Sequence, residues 1–349
     1  MTLPEGDTSS GEPTIDPSER RKYVMEEARS FLEQDLVKIF ASGEPTRARY
    51  SPTIRFEDPI TSYNDLDGYT FNMKLLKSLF NIDFKLHSME VTGDDAVTAR
   101  WTMNMEMWLL PWKPNLLFTG RTFYKVDLPS GLITSHIDVW DALRHNRFLS
   151  VEAVQHVLRM FMQVQLKPAI ESHKYDVLLK FKDHEIRNYP PYIVAETDQP
   201  TGSGPASGSG FQDLAQYLFG GNREKVSMEM TTPVLSSIQR EGNQSTAIQF
   251  VMEDHFKDVS QLPTPIGMRV TRRQLPGGFF GAAIFSGWPL DFEVVQAERA
   301  LRDVLLRNGH TPKAGYTLAR YNDPTTLPAV RRNEVLIEVE GFVWPPSSM

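Results

Sequence analysis

The chain has 349 residues, 40% hydrophobic and 23% charged, an ordinary globular composition with room for two domains. Lys+Arg 37 against Asp+Glu 44 gives a formal net charge of -7, which excludes a nucleic-acid backbone as the main partner, because that role needs a basic excess. With Cys 0 there is no disulfide, thiolate metal site, Cys nucleophile or iron–sulfur cluster, and no run reaches the ~20 apolar residues of a membrane-spanning helix.

Residues 1–17 read as a disordered acidic tail. Glu5, Asp7, Glu12 and Asp16 precede the first basic residue, Arg20, and Pro4, Pro13 and Pro17 interrupt regular structure. The pattern is neither a signal peptide nor a transit peptide.

Residues 18–147 read as a first folded unit. Ser18 suits the cap of a helix carrying Tyr23, Val24, Leu32, Leu36, Ile39 and Phe40 and ending near Gly43. A second helix is expected over Leu66 to Phe80, with Phe71, Leu75, Leu76 and Leu79 on its apolar face. The period then changes to two. Val97, Ala99, Trp101, Met103, Met105 and Met107 alternate with polar residues, and strands follow over Leu116 to Leu128 and Ile133 to Trp140. Helices followed by an antiparallel meander predict an α+β cone of the ketosteroid-isomerase-like type.

On the last of these strands His136, Asp138 and Trp140 are spaced by two and share a face. The pair His136/Asp138 reads either as a general base facing a small ligand or as a structural polar pair. The segment Trp108 to Phe118 places Trp108, Leu109, Leu110, Trp112, Leu116 and Phe118 at a hairpin tip, where polar residues are usual. Exposed, this tip is a surface for a partner or a membrane; packed on the second unit, it is interdomain core.

Residues 148–172 read as a connector helix carrying Phe148, Val151, Val154, Val157, Leu158 and Phe161 and stopping at Pro168. His145 and His156 lie about three turns apart, too far to share a metal. Residues 173–343 form a second unit and 344–349 a tail. Two strand runs, a short helix over Phe211 to Phe219 and two more strands are followed by the same order again, with a helix over Pro289 to Asn308. This ββαββ duplication predicts an eight-stranded distorted antiparallel barrel with two helices. The Gly/Ser-rich stretch Thr201 to Gly210 reads as a loop inside this unit.

Glu185-Ile-Arg-Asn-Tyr-Pro-Pro-Tyr192, Phe211-Gln-Asp-Leu-Ala-Gln-Tyr-Leu-Phe-Gly220, Met228-Glu-Met-Thr-Thr-Pro-Val234, Ala319-Arg-Tyr-Asn-Asp-Pro324 and Arg331-Arg-Asn-Glu-Val335 resemble, in order, the motifs of the SOUL haem-binding family. The first unit resembles the extra domain ahead of SOUL in plant and algal plastid members, through Arg55-Phe-Glu-Asp-Pro-Ile60, Leu109-Leu-Pro-Trp-Lys-Pro114 and His136-Ile-Asp-Val-Trp-Asp141. The resemblance implies non-covalent, reversible binding of haem or another tetrapyrrole as a non-catalytic carrier or buffer. It also implies a chloroplast location, the alternative being cytoplasmic. Carried over by position, the ligand would contact Phe211, Leu214, Ala215, Tyr217 and Leu218 on the helix, then Met228 and Met230. Arg320, Tyr321, Arg331 and Arg332 at the far loop would meet it too, the arginines suiting its propionates. Gln212, Asp213, Gln216 and Tyr217 stand where animal members carry basic residues and Met. His173, His184, His255 and His310 all lie off the groove motifs, so the expectation is apolar capture without a strong iron bond.

Overall fold

The computed structural model describes residues 16–143, 146, 148–162, 171–199, 209–239, 245–267, 269–323 and 325–345. The acidic tail before Asp16, His145, the Pro168 end of the connector, most of the Gly/Ser-rich loop and the last residues of the C-terminal tail lie outside that set.

The first unit comprises α1 (Pro17–Ser42), β1 (Tyr50–Glu57), β2 (Ser62–Tyr63), α2 (Leu66–Leu79), β3 (Phe80–Val91), β4 (Ala96–Met107), β5 (Asn115–Asp127) and β6 (Leu132–Trp140). Asp16, rather than Ser18, caps α1: its carboxylate accepts from the Ser18 amide at 3.1 Å, and Pro17 fills the first helical position, where a missing N–H costs nothing. Met25, Ala28, Leu32, Leu36 and Ile39 form the buried stripe, and Gly43, at φ 77, ends the helix with its amide on the Ile39 carbonyl.

The inward face of α2 is rotated from the expected one. Leu66, Tyr69 and Met73 are buried, whereas Phe71 and Leu75 are 58% and 40% exposed. Hydropathy alone misplaces this face because its buried positions include Tyr69, Thr70 and Asn72. β3 to β6 form the antiparallel meander, and β1 adds to β6 in parallel, giving the order β2-β1-β6-β5-β4-β3. β1 and β3 have no counterpart in the sequence reading. β3 starts directly after α2 without a turn residue, and parallel pairing leaves no local signature.

The connector α3 (Val151–Met162) packs on the first unit, with Ala153 and Met160 in its core. Of its expected apolar residues, Val157 and Phe161 pack against that core, whereas Val151, Val154 and Leu158 are 72%, 38% and 54% exposed.

The second unit comprises β7 (Asp176–Lys180), β8 (Glu185–Tyr189), β9 (Tyr192–Gln199), α4 (Ser209–Leu218), β10 (Val234–Gln239), β11 (Ser245–Val251), β12 (Thr271–Leu275), β13 (Gly278–Phe285), α5 (Asp291–Arg307), β14 (Thr311–Pro312), β15 (Tyr316–Arg320) and β16 (Asn333–Glu340). The sheet order is β12-β9-β11-β10-β15-β16-β13-β8-β7, with β14 on β16. The duplication is plain about the β10–β15 seam: β9, β11 and β10 mirror β13, β16 and β15. The leading strand of each half, β8 or β12, crosses to flank the other half. Pro190 and Pro191 split the second of the two strand runs expected ahead of α4 into β8 and β9, so the repeat starts at β8 and β7 lies outside it.

Among the described residues the ladder is an open path and not a closed barrel. Its β7 end is covered by the first unit, which protects the edge by other means. The Thr102 hydroxyl donates to the Val177 carbonyl at 2.8 Å, the Lys180 amide donates to Thr119 Oγ1 at 2.7 Å, and Lys85 pairs with Asp176 at 2.7 Å. Beyond β16, Trp344 returns to the first unit between Arg100 and His87. The two helices share one face of the sheet, over separate clusters around Leu214 and Leu301. The opposite face carries Tyr189, Val194, Leu235, Ala282, Ala319, Tyr321 and Leu336. Gly277, at φ 72 between β12 and β13, is obligatory because a Cβ there would sit 2.1 Å from the Tyr189 carbonyl oxygen.

Candidate functional site

The helix residues expected to wall a porphyrin are mostly turned into the core. Leu214, Tyr217 and Leu218 lie on the inner stripe of α4 and pack with Met228 against Ile193, Val234 and Phe250. The Tyr217 hydroxyl donates to the Pro263 carbonyl at 2.6 Å. Phe211 is 38% exposed, its ring 5.2 Å from Phe250, while Ala215 and Met230 are half-buried. The apolar spacing of α4 thus attaches the helix to its sheet.

The four far-loop residues divide between the two faces. Arg320 stands opposite Val234 on the helix side, where Nη2 donates to Ser236 Oγ at 2.9 Å and the buried Nε has no partner. Burial lowers its pKa, and no carboxylate pairs with it among the described residues. Arg331 is buried over the Trp288 ring, 3.7 Å from its centroid, and donates from Nε to the Thr326 carbonyl. Tyr321 and Arg332 lie on the other face, in a buried charge network. Arg332 donates to Glu334 at 2.8 and 2.6 Å and to the Tyr175 hydroxyl at 2.7 Å. The Tyr321 hydroxyl donates to the same carboxylate at 3.0 Å. Arg187 completes the network with two bonds to Glu334, at 2.6 and 3.1 Å, and one to Glu185 at 2.7 Å. Burial alone would raise the Glu334 carboxyl, but Arg187 and Arg332 outweigh it and hold the group below the usual carboxylate range. Sequence reasoning missed Arg187 and Glu334, although both sit inside the quoted motifs. A charged residue alternating with Ile186 on a core strand is the signal that was available.

The histidines of the second unit are engaged with other partners. His173 packs on Tyr189 and Tyr192, and burial pushes its imidazole down to about 4. His184 stacks on Phe181, with Nδ1 2.7 Å from Asp183 and Nε2 3.3 Å from Asn308. His255 pairs with Glu253, and His310 lies against Phe342. The described residues hold no cluster of three or more metal-ligating groups.

In the first unit His136 is 1% exposed and engaged at both ring nitrogens. Nδ1 is 3.1 Å from the Tyr69 hydroxyl, and Nε2 is 3.1 Å from Asp138. Asp138 accepts in turn from Thr122, which accepts from the Trp101 indole at 2.8 Å. Phe56, Tyr69 and Tyr124 rings enclose the imidazole at 4.7 to 5.4 Å. This is a satisfied polar chain through the cone.

A cleft of about 400 Å³ separates the units on the sheet face opposite the helices. Ala282 and Ile284 form its floor, Tyr175, Lys180, Glu185 and Arg332 its sides, and Leu117 with Met160 of the first unit its roof. That volume lies within the ~300–1,000 Å³ of small-molecule sites.

Residues 170–338 match the family described as SOUL heme-binding protein, across the duplicated sheet, its helices and the network around Glu334. The second unit belongs to the SOUL family. Residues 26–136 match an uncharacterized conserved family, DUF2358. Among solved structures, the EcmrR C-terminal domain is 14% identical over 48% of this chain and 98% of its own, with a TM-score of 0.35. An uncharacterized conserved protein from Listeria innocua is 13% identical over 45% and 92%, with a TM-score of 0.34. A SnoaL-like protein from Shewanella denitrificans OS-217 is 17% identical over 32% and 89%, with a TM-score of 0.28. No curated protein matches the chain.

A ligand of the SOUL domain needs apolar walls and cations without carboxylate partners. Arg320 offers the second requirement on the helix side; the cleft offers Lys182 for it, but its lining is mostly polar and charged. The hairpin tip ahead of the SOUL domain is held between two helix ends. The Trp108 indole donates to the Ser78 carbonyl in the last turn of α2, and Trp112 donates to Phe161 in the last turn of α3, both at 3.1 Å. Trp108, Leu109 and Trp112 stay 50%, 52% and 46% exposed, and Leu110 is half-buried. Leu116 and Phe118, expected in the exposed tip, are core residues at 2% and 3% exposure, because β5 has already begun at Asn115 and alternation turns them inward.

Proposed function

We propose that the protein is a non-catalytic carrier or buffer that binds haem or a related tetrapyrrole reversibly and without a covalent bond. The match of residues 170–338 to the SOUL family carries this reading. The histidines of the SOUL domain described above are ion-paired, stacked or enclosed, so capture rests on apolar and propionate contacts, and release is fast enough for a carrier. Loading the full chain with haemin and mixing it with apomyoglobin tests this directly. Transfer within minutes is expected, whereas haemin that stays bound for hours rules out a carrier.

The working place we propose is a plastid membrane surface. The exposed Trp108, Leu109 and Trp112, with Phe71 and Leu75 of α2 and Leu158 of α3 exposed as well, favour a lipid interface, where tryptophan is enriched. Sedimentation with phosphatidylcholine/phosphatidylglycerol vesicles should carry the protein into the pellet. The protein staying wholly in the supernatant would remove the membrane part and leave a soluble carrier.

A further inference from the structure

We propose that the SOUL domain also meets the lipid surface, through the turn from Gly287 to Phe292, so that the protein sits on a bilayer with both units; this rests on the membrane reading proposed above. β13 ends at Phe285, and the chain then exposes Trp288, Leu290 and Phe292 at 50%, 51% and 66% where α5 begins. Leu327, 72% exposed, stands beside them, because the Gly287 amide donates to the Pro328 carbonyl at 2.9 Å. The turn is firmly held. Asn333 Nδ2 donates to the Gly287 carbonyl at 3.0 Å, and the Arg331 guanidinium lies on the Trp288 ring, 3.7 Å from its centroid. Four large apolar side chains kept outward on a fixed turn mark an interaction surface.

This turn lies near the hairpin tip. Asn115, where the tip ends, and Met160, next to the Phe161 carbonyl that holds Trp112, line the same cleft as Phe285 and Ser286. Trp288 follows two residues after Ser286, so the two apolar segments flank one cleft, one from each unit. The cleft between them is lined mostly by polar and charged groups. Two apolar projections with a polar gap between them do not form the continuous packed core of a protein interface. A bilayer takes them separately, with headgroups in the gap and tryptophan at the interfacial level. Charge does not drive the contact. Lys113 at the tip, Arg159 on α3, Lys182 in the cleft and Arg331 under Trp288 are offset by Glu152, Asp183, Asp291 and Glu293 on the same elements, and the whole chain carries -7. The attachment therefore rests on burying apolar side chains, needs no anionic lipid and withstands salt.

With Cys 0, one introduced cysteine carries a polarity-sensitive fluorophore at a chosen position. The full chain labelled through Leu290→Cys, Leu109→Cys or Ser130→Cys, the last in the turn at the opposite end of β5, is mixed with phosphatidylcholine vesicles. The Leu290→Cys and Leu109→Cys labels should both shift to the blue, and the Ser130→Cys label should not. Trp288→Ser with Phe292→Ser should lower partition into the vesicles roughly ten-fold or more, in low and high salt alike. A shift of the Leu109→Cys label alone overturns the SOUL-domain contact and leaves the hairpin tip on the membrane. No shift of either label, with the protein in the supernatant, overturns this contact and the membrane reading together. A Leu290→Cys shift that follows protein concentration without vesicles shows that a second copy covers the patch, and overturns the lipid contact.

Discussion

Arg187 and Glu334, far apart in the chain, meet in a bidentate ion pair in the middle of the SOUL sheet, with both side chains 0% exposed. Each comes from the middle of a separate motif, so the pair ties the first strand of one half to the last strand of the other. Removing Glu334 takes the shared carboxylate away from two buried arginines, Arg187 and Arg332, which costs about 3–5 kcal/mol. Glu334→Leu should therefore destabilise the second unit by that amount in urea denaturation, and Arg187→Met should cost less, about 2 kcal/mol, because Glu334 keeps Arg332 and Glu185 keeps Lys180. A single variant within about 1 kcal/mol of the parent would show that the network does not stabilise the fold.

Acid should act in two windows. Burial pushes His87, His156 and His173 down to about 4, helped at His87 by Lys85 and Arg100 and at His156 by Lys180 and Arg159. The unfolded chain takes up these protons near pH ~6.5, before the folded one does. Their stabilising effect is thus complete above pH ~6.5 and is lost as pH falls toward about 4. Glu185 and Glu334, held low by their cationic neighbours against the effect of burial, lose theirs only below the ordinary carboxylate pKa of ~4.3. The Nε2 of His173 is buried without a partner, so His173→Phe should be near neutral at pH 7 and should shrink the loss between pH 6.5 and 5. Thermal melts across that range check both.

The elements that carry a strong local period were legible in sequence: Leu32, Leu36, Ile39 and Phe40 of the α1 stripe (its start, Met25 and Ala28, was not, and Tyr23 is exposed), the β4 alternation and the duplicated order of the SOUL domain. What escaped depends on partners distant in the chain. The parallel seat of β1 on β6, the crossing of β8 and β12 between halves and the docking of β7 on the first unit leave no local pattern. The same reason explains the candidate site. Arg332 was legible as a cation in a motif, but the face it occupies is set by Glu334 and Tyr175. The wall opposite it comes from Leu117 and Met160 of the other unit. The face of α2 was misread because Tyr69 is buried for its bond to His136 as much as for its ring.

The polar chain through His136 should be structural. His136→Ala removes the partner of both Tyr69 and Asp138 deep in the cone, at a cost of about 2–4 kcal/mol to the first unit. Haemin affinity should stay within about three-fold at temperatures where that unit remains folded. A stable variant that no longer turns over some small substrate would instead make this chain a catalytic one.

At the hairpin tip, Trp108→Ser with Leu109→Ser should abolish vesicle binding at little cost in stability. Leu116→Ala should cost about 2–5 kcal/mol and leave vesicle binding unchanged below its melting temperature. Equal effects of the two changes on vesicle binding would mean that the apolar tip is not the contact surface.

The most direct measurement is a titration of the purified full chain with haemin and, separately, with protoporphyrin, followed by Soret absorbance and tryptophan quenching. Saturation near one equivalent by both ligands, with affinities within about ten-fold of each other, is the predicted result. Saturation by haemin alone would contradict capture without an iron bond, and saturation by neither would contradict tetrapyrrole binding itself.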